Sequence, residues 1–402
     1  MKPFNTILIM CTAHIFSMAG FATYPALLPS LIPIWQLTNT QAGWISGIFF
    51  AGYVASVPVL VTLTDRFDSR LIYISGLVIS TIGLLGFGFL ANDFWSAMVW
   101  QAVQGAGIGG TYMTGLRVMT DREVGSTPSR AIAFYTAAFS AGTAFSFVIS
   151  GNIGLLWGWQ TAFYMAAIGP IIAIVIVLLL LSNQTPNKVY RHNTNLLDFR
   201  PVFSNREAFS YTLGYIGHSW ELFALRGWIV TFLVFAGAQQ GGAGILSAVV
   251  IAGIANIIGG PVSIIGNELA ERFGRKKIIF IIMLFSGFVA LATGISASFS
   301  LYVAAILVVI YSGFIMGDSS SLTAGATNAA DPSYRGATLA VHSVLGFSGA
   351  LLGPLAVGLV LDISGGRSSG FSWILAFVTI GFGSLGGAAL IWLTKLKKVN
   401  VN

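Results

Sequence analysis

Six ionisable side chains stand inside apolar stretches of this 402-residue sequence: His14, His218, Glu221, Arg226, Asp318 and His342. Histidine and a partly buried carboxyl both exchange protons near neutral pH, and a guanidinium holds anions, so the set offers proton handling and solute binding. His218 and Glu221, spaced i, i+3, share a helical face and are expected to titrate as a coupled pair. If their helix starts near Glu207, they lie roughly 16 and 21 Å along it at 1.5 Å per residue. Arg226 sits about 140° around that helix from Glu221, so no direct pair between them is expected. Asp318, followed by Ser319, Ser320 and Ser321, makes a polar patch for which His342 is the expected partner. Trp220 and Trp228 are candidates to wall a cavity. No metal-ligand cluster, nucleophile beside a base, or Walker sequence is present, so neither an enzyme nor a cofactor or metal site is predicted.

The elements that carry these groups must be membrane helices. Hydrophobic residues make up 55% of the chain and charged residues only 8%, against about 25% charge in a soluble domain. A charge at the bilayer centre costs about 2.5 to 3.5 kcal/mol even on permissive scales, which makes each of the six a functional candidate. Apolar runs fall at about residues 6–34, 42–64, 71–91, 95–116, 131–155, 160–182, 207–235, 243–265, 278–298, 300–323, 337–361 and 371–394. The first is too long for a signal-peptide core and is expected to be the first span. With the N-terminus inside, 18 of the 20 Lys and Arg fall in cytoplasmic segments, leaving Arg367 outside and Arg226 within a span. That partition predicts a multi-pass plasma (inner) membrane protein with both termini cytoplasmic. It also accounts for the net charge of +7 without any nucleic acid. The lone cysteine, Cys11, excludes an intrachain disulfide.

The chain repeats itself. Asp65-Arg66-Phe67-Asp68-Ser69-Arg70 after the second run is echoed by Glu271-Arg272-Phe273-Gly274-Arg275-Lys276 after the eighth, at an offset of 206. Pro128-Ser129-Arg130 is echoed by Pro332-Ser333-Tyr334-Arg335. His14 and His218 are 204 residues apart, close to the same offset. The expected architecture is all-α: twelve transmembrane helices in two pseudo-symmetric six-helix bundles, residues 1–182 and 207–402, joined by a cytoplasmic loop, 183–206. Repeated bundles around a midplane site are a recurrent plan of secondary transporters.

On these residues the sequence resembles the major facilitator superfamily over essentially its whole length. The family's loop signature Gly-x-x-x-Asp-Arg-x-Gly-Arg-Arg/Lys is matched at Asp65, Arg66 and Arg70, with Val61 and Asp68 in place of the glycines. Gln104, Gly105 and Gly107 are similar to the family's fourth-helix motif, although Gln101 stands where its arginine belongs. Phe145-Ser146 occupies the place of the Gly-Pro typical of drug/proton antiporters, while Gly349, Gly353 and Pro354 give a similar-looking motif in the eleventh run. Gly105-Ala106-Gly107-Ile108-Gly109-Gly110 fits a dinucleotide fingerprint, but no strand precedes it, and close helix packing explains it better.

The resemblance implies a monomeric secondary transporter in the lipid bilayer. It moves a small organic solute by alternating access, with proton coupling as symporter or antiporter. The alternatives are drug or metabolite efflux and, in another class, a transporter-like receptor or assembly protein without flux. It further implies a cytoplasmic gate of Asp65, Arg66 and Arg70, with a weaker copy at Glu271, Arg272 and Arg275.

Overall fold

The computed structural model describes residues 3–64, 66–122, 128–184, 200–242, 245–331 and 334–396. Its helices are α1 (Pro3–Ser17), α2 (Thr23–Ile34), α3 (Asn39–Leu63), α4 (Ser69–Leu90), α5 (Phe94–Gly109), α6 (Tyr112–Arg122), α7 (Pro128–Trp157) and α8 (Trp159–Leu180). They continue as α9 (Arg200–Ser204), α10 (Arg206–Ala238), α11 (Ile245–Phe273), α12 (Arg275–Ser296), α13 (Leu301–Gly317), α14 (Ser319–Ala329), α15 (Arg335–Ile363) and α16 (Gly370–Leu396). Among the described residues there is no strand, as a bilayer that cannot hydrogen-bond the backbone demands.

Among the described residues, ten helical stretches are long and apolar enough to cross a membrane. The first and fourth apolar runs, each expected as one helix, are instead broken into α1 plus α2 and α5 plus α6. The breaks have an explicit hydrogen-bond accounting. At the first, Ser146 of α7 accepts from the Ala22 amide at 2.9 Å and donates to the Ala19 carbonyl at 2.7 Å. Gln104 of α5 donates to the Gly20 carbonyl at 2.8 Å. Side chains thus take up backbone groups that the helix releases, as the apolar surroundings require. The tenth run also breaks, at Asp318 between α13 and α14.

The chain forms two compact units. Unit 1 holds residues 1–37, 48–190 and 244–257; unit 2 holds residues 38–47, 191–243 and 258–402. Helices α3 and α11 are therefore each divided between the two. Unit 1 is centred on Met10, Tyr73, Leu77, Val118, Tyr135 and Val177. Here the glycine motif is a packing device, because a Cβ on Gly105 or Gly107 would collide with the backbone of Phe49 or Ser80. Unit 2 has a core of Tyr211, Ile279, Met283, Leu322 and Ile391. Its axis is α10, the most buried of the candidate spans. Gly349 and Gly353 of α15 lie against the backbone of Ile216 and Trp220, and Gly217 lies against that of Gly383 in α16. These bare contacts draw α15 and α16 onto α10 and fix what faces it.

Candidate functional site

Unit 2 concentrates its buried polar chemistry on one helix. Thr212, Tyr215, His218 and Glu221 follow one another along α10 at three-residue steps, and Glu221 is the sixteenth of its 33 residues. Each meets a partner from outside α10. His342 of α15 lies between two hydroxyls, its Nδ1 3.3 Å from Thr212 Oγ1 and its Nε2 3.4 Å from Thr323 Oγ1. The Tyr215 ring stacks on His342 at 4.2 Å and on His218 at 5.3 Å. His218 Nδ1 is 2.7 Å from Asp318 Oδ1, both side chains being all but fully buried.

The carboxyl of Glu221 is held differently. Its Oε1 accepts from Tyr311 Oη of α13 at 2.7 Å and from Ser286 Oγ of α12 and Ser384 Oγ of α16 at 2.9 Å each. Oε2 has no hydrogen-bond partner, and the residue is 0% exposed. A buried carboxyl must have hydrogen bonds or a proton to offset its lost hydration, and this one has three donors on a single oxygen.

The pairing differs from the expectation drawn along the helix. His218 bonds to Asp318, not to Glu221, because the break between α13 and α14 delivers a carboxyl from across the unit. His342, the expected partner of Asp318, bonds to threonines instead. Arg226 is 5% exposed and lies over the Phe223 ring, 5.4 Å from its centroid. Trp220 donates to the Thr379 carbonyl and Trp228 to the Pro354 carbonyl, each at 2.9 Å. Trp228 is 1% exposed and meets Trp373 edge-on, packed in the core. No sequence pattern marks the hydroxyls of Ser286, Tyr311 and Ser384, since single Ser and Tyr residues in apolar runs look like ordinary packing.

In unit 1, His14 is buried among the rings of Tyr135, Tyr112 and Phe139, stacked on Tyr135 at 4.1 Å. Ser17 Oγ donates to the His14 carbonyl at 2.7 Å, so it accepts from His14 Nδ1, 3.2 Å away. The hydrogen is thereby placed on Nδ1, and Nε2 is left without a partner.

The comparisons agree with this architecture. Residues 10–354 match the sequence profile of the Major Facilitator Superfamily. The chain belongs to that family. It is a multi-pass membrane protein of a transporter family, not an enzyme. It is 26% identical over 292 residues to an uncharacterised MFS-type transporter, YcaD, of Escherichia fergusonii, covering 69% of this chain and 71% of that one. It is 28% identical over 141 residues to a probable sphingolipid transporter, spinster homolog 1, of Arabidopsis thaliana, covering 35% of this chain and 28% of the relative's length. A crystal structure of a bacterial homologue of the human lysosomal transporter spinster, inward-facing and occupied, superposes with a TM-score of 0.77 at 16% identity, covering 98% of both chains. That likeness shows the family's fold.

The family's loop signature lies between α3 and α4. Asp65 is outside the described residues, and Arg66 is exposed. Arg70 is 7% exposed and donates to Asn183 Oδ1 and, at 3.0 Å, to the Leu178 carbonyl. Asp68, standing where the signature has glycine, accepts from the Arg70 amide at 3.0 Å and the Gln184 amide at 2.9 Å. Arg122 lies 3.5 Å from Asp68 and donates to the Ser182 carbonyl at 2.9 Å. The copy in unit 2 is more open. Arg275 bonds Asn267 at 2.8 Å and Glu271 at 3.3 Å, while Arg272 and Glu268 are exposed and 4.0 Å apart.

Proposed function

We propose that the protein is a secondary transporter that moves a small organic solute by alternating access and couples that movement to protons. The observation that carries the reading is Glu221: a fully buried carboxyl at the middle of a membrane helix, held by three hydroxyls and offering one oxygen without a partner. A group so placed gains and loses a proton at little geometric cost. Tying its occupancy to which side is open would tie solute movement to a proton gradient. His218 and Asp318 form a second buried polar pair nearer the cytoplasmic end of α10, while Arg226 and His14 are further candidates for solute contact. In this reading residues 1–182 and 207–402 are the two moving bundles, and both termini and the 183–206 loop are cytoplasmic. The transporter works as a monomer in the inner membrane, and the Asp65, Arg66 and Arg70 loop is its inner gate.

The test is uptake into proteoliposomes with and without an imposed pH gradient. A radiolabelled sphingolipid, the class in the name of the Arabidopsis relative, is one arm; polar metabolites form the other. Gradient-driven accumulation supports the reading. Flux that ignores the gradient removes the coupling, export alone favours efflux, and no flux of any solute favours a receptor-like role.

A further inference from the structure

We propose that Tyr311, Ser286 and Ser384 are positioning residues that leave Glu221 with a single proton-accepting oxygen, Oε2. The inference rests on the proton-coupled reading above and says how its central carboxyl is kept ready. Three O–H donors converge on Oε1 from three helices, α12, α13 and α16, at 2.7 to 2.9 Å. An oxygen already receiving three hydrogens has no lone pair directed at a fourth, whereas Oε2 is buried with none. A proton arriving at the carboxyl therefore forms its O–H bond at Oε2 and leaves from the same atom, with the three hydroxyl oxygens around Oε1 staying in place in both states. Loading then needs no repacking of a close-packed helix bundle.

The collar also sets how readily the proton is held. Hydrogen bonds to an ionised acceptor are about twice as strong as those between neutral groups, so the hydroxyls favour the carboxylate. Tyr311 makes the shortest of the three bonds. Ser384 also reaches the Gly381 carbonyl at 3.0 Å, an acceptor to which its hydrogen can turn when Glu221 becomes neutral. Tyr311 is thus expected to matter most and Ser384 least. The other titratable and charged groups around Glu221 are His218 one turn earlier, its partner Asp318 at the α13–α14 break, His342 beyond Tyr215, and Arg226 further out on α10. A substitution at Tyr311 leaves all of them in place.

The experiment is infrared difference spectroscopy of the full-length protein in lipid, titrated with acid and base alone so that no solute need be known. The protonated-carboxyl band of Glu221 is assigned by its loss in Glu221→Gln. Tyr311→Phe keeps the ring in its packing, and an unchanged thermal midpoint shows that it folds. Its Glu221 band should reach half-intensity about one pH unit higher than wild type, the shift expected for losing one hydrogen bond to a charged acceptor. Ser286→Ala should shift less, and Ser384→Ala least. An unmoved midpoint in Tyr311→Phe overturns the collar alone. A wild-type Glu221 band that never titrates overturns the coupling role of Glu221, and the collar with it.

Discussion

Two histidines stand at matching places in the repeat, and their surroundings differ in kind. His218 is paired with the carboxyl of Asp318, and one turn further along, Glu221 gathers three hydroxyls. His14 has one serine hydroxyl and a wall of aromatic rings. Applying the repeat offsets of 204 to 206 locates the exchange residue by residue. Ser17 takes the place of Glu221, Tyr112 that of Asp318, and Ser80 that of Ser286. Ser80 is still buried, and its hydroxyl has no partner. The repeat thus keeps positions, even one hydroxyl, while at these positions the acids stand in unit 2 alone. A shared scaffold fixes where chemistry can sit; the residue placed there decides whether any occurs.

The sharpest way to break this comparison is to remove the acid. Glu221→Gln keeps the shape and the three hydroxyl contacts but cannot release a proton. It should abolish accumulation driven by a pH gradient while leaving solute exchange at equal pH. The counterpart change, Ser17→Ala in unit 1, should leave gradient-driven accumulation intact. Proteoliposome uptake normalised to folded protein measures both, and equal effects of the two changes would erase the distinction between the units.

Stability should separate the histidines next. Asp318→Ala leaves His218 buried without its carboxyl partner, and a buried polar group stripped of its hydrogen bond costs about 1 to 3 kcal/mol. His14→Phe removes a single bond of 3.2 Å and keeps the ring stacked on Tyr135, a loss of about 1 kcal/mol. Thermal unfolding in detergent should show a larger fall in midpoint for the first. If the two fall alike, the His218–Asp318 contact is not the stronger one.

Much of this was legible in the sequence, for physical reasons. Lipid forces long apolar runs, so the spans and the ionisable residues within them could be read directly. The partners could not. Periodicity pairs residues on one helix, which is why it points His218 to Glu221 three residues away. The actual partners lie 65 to 163 residues distant and come from four other parts of unit 2. Nor do apolar runs announce where they break. The break after α1 relies on Ser146 and Gln104 from other helices, a tertiary substitute for helical hydrogen bonds that no local pattern records.

The loop signature and its copy extend the comparison at lower energy. Arg70 spans Asn183 and the Leu178 carbonyl with the two ends of its guanidinium, a fork that lysine lacks. Arg70→Lys should therefore loosen the stretch from Leu178 to Gln184. Faster amide hydrogen exchange at Gln184, whose N–H is held by Asp68, would register it. Unchanged exchange would mean that Asp68 and Arg122 suffice to hold that stretch.

The smallest effect is expected at the corresponding place in unit 2. Arg272 and Glu268 are one helical turn apart, 74% and 58% exposed, with 4.0 Å between their charged atoms. Water screens such a pair, and fixing two long side chains costs entropy comparable to the attraction gained, so exposed pairs contribute about 0 to 1 kcal/mol. Arg275, by contrast, is 15% exposed and also donates to Asn267 and to the Ser321 carbonyl. Arg272→Ala should leave the thermal midpoint within error of wild type and insensitive to salt, whereas Arg275→Ala should lower it measurably. If Arg272→Ala proves the more damaging, Arg272 acts through a contact other than Glu268, and the open character assigned to the unit 2 copy is wrong.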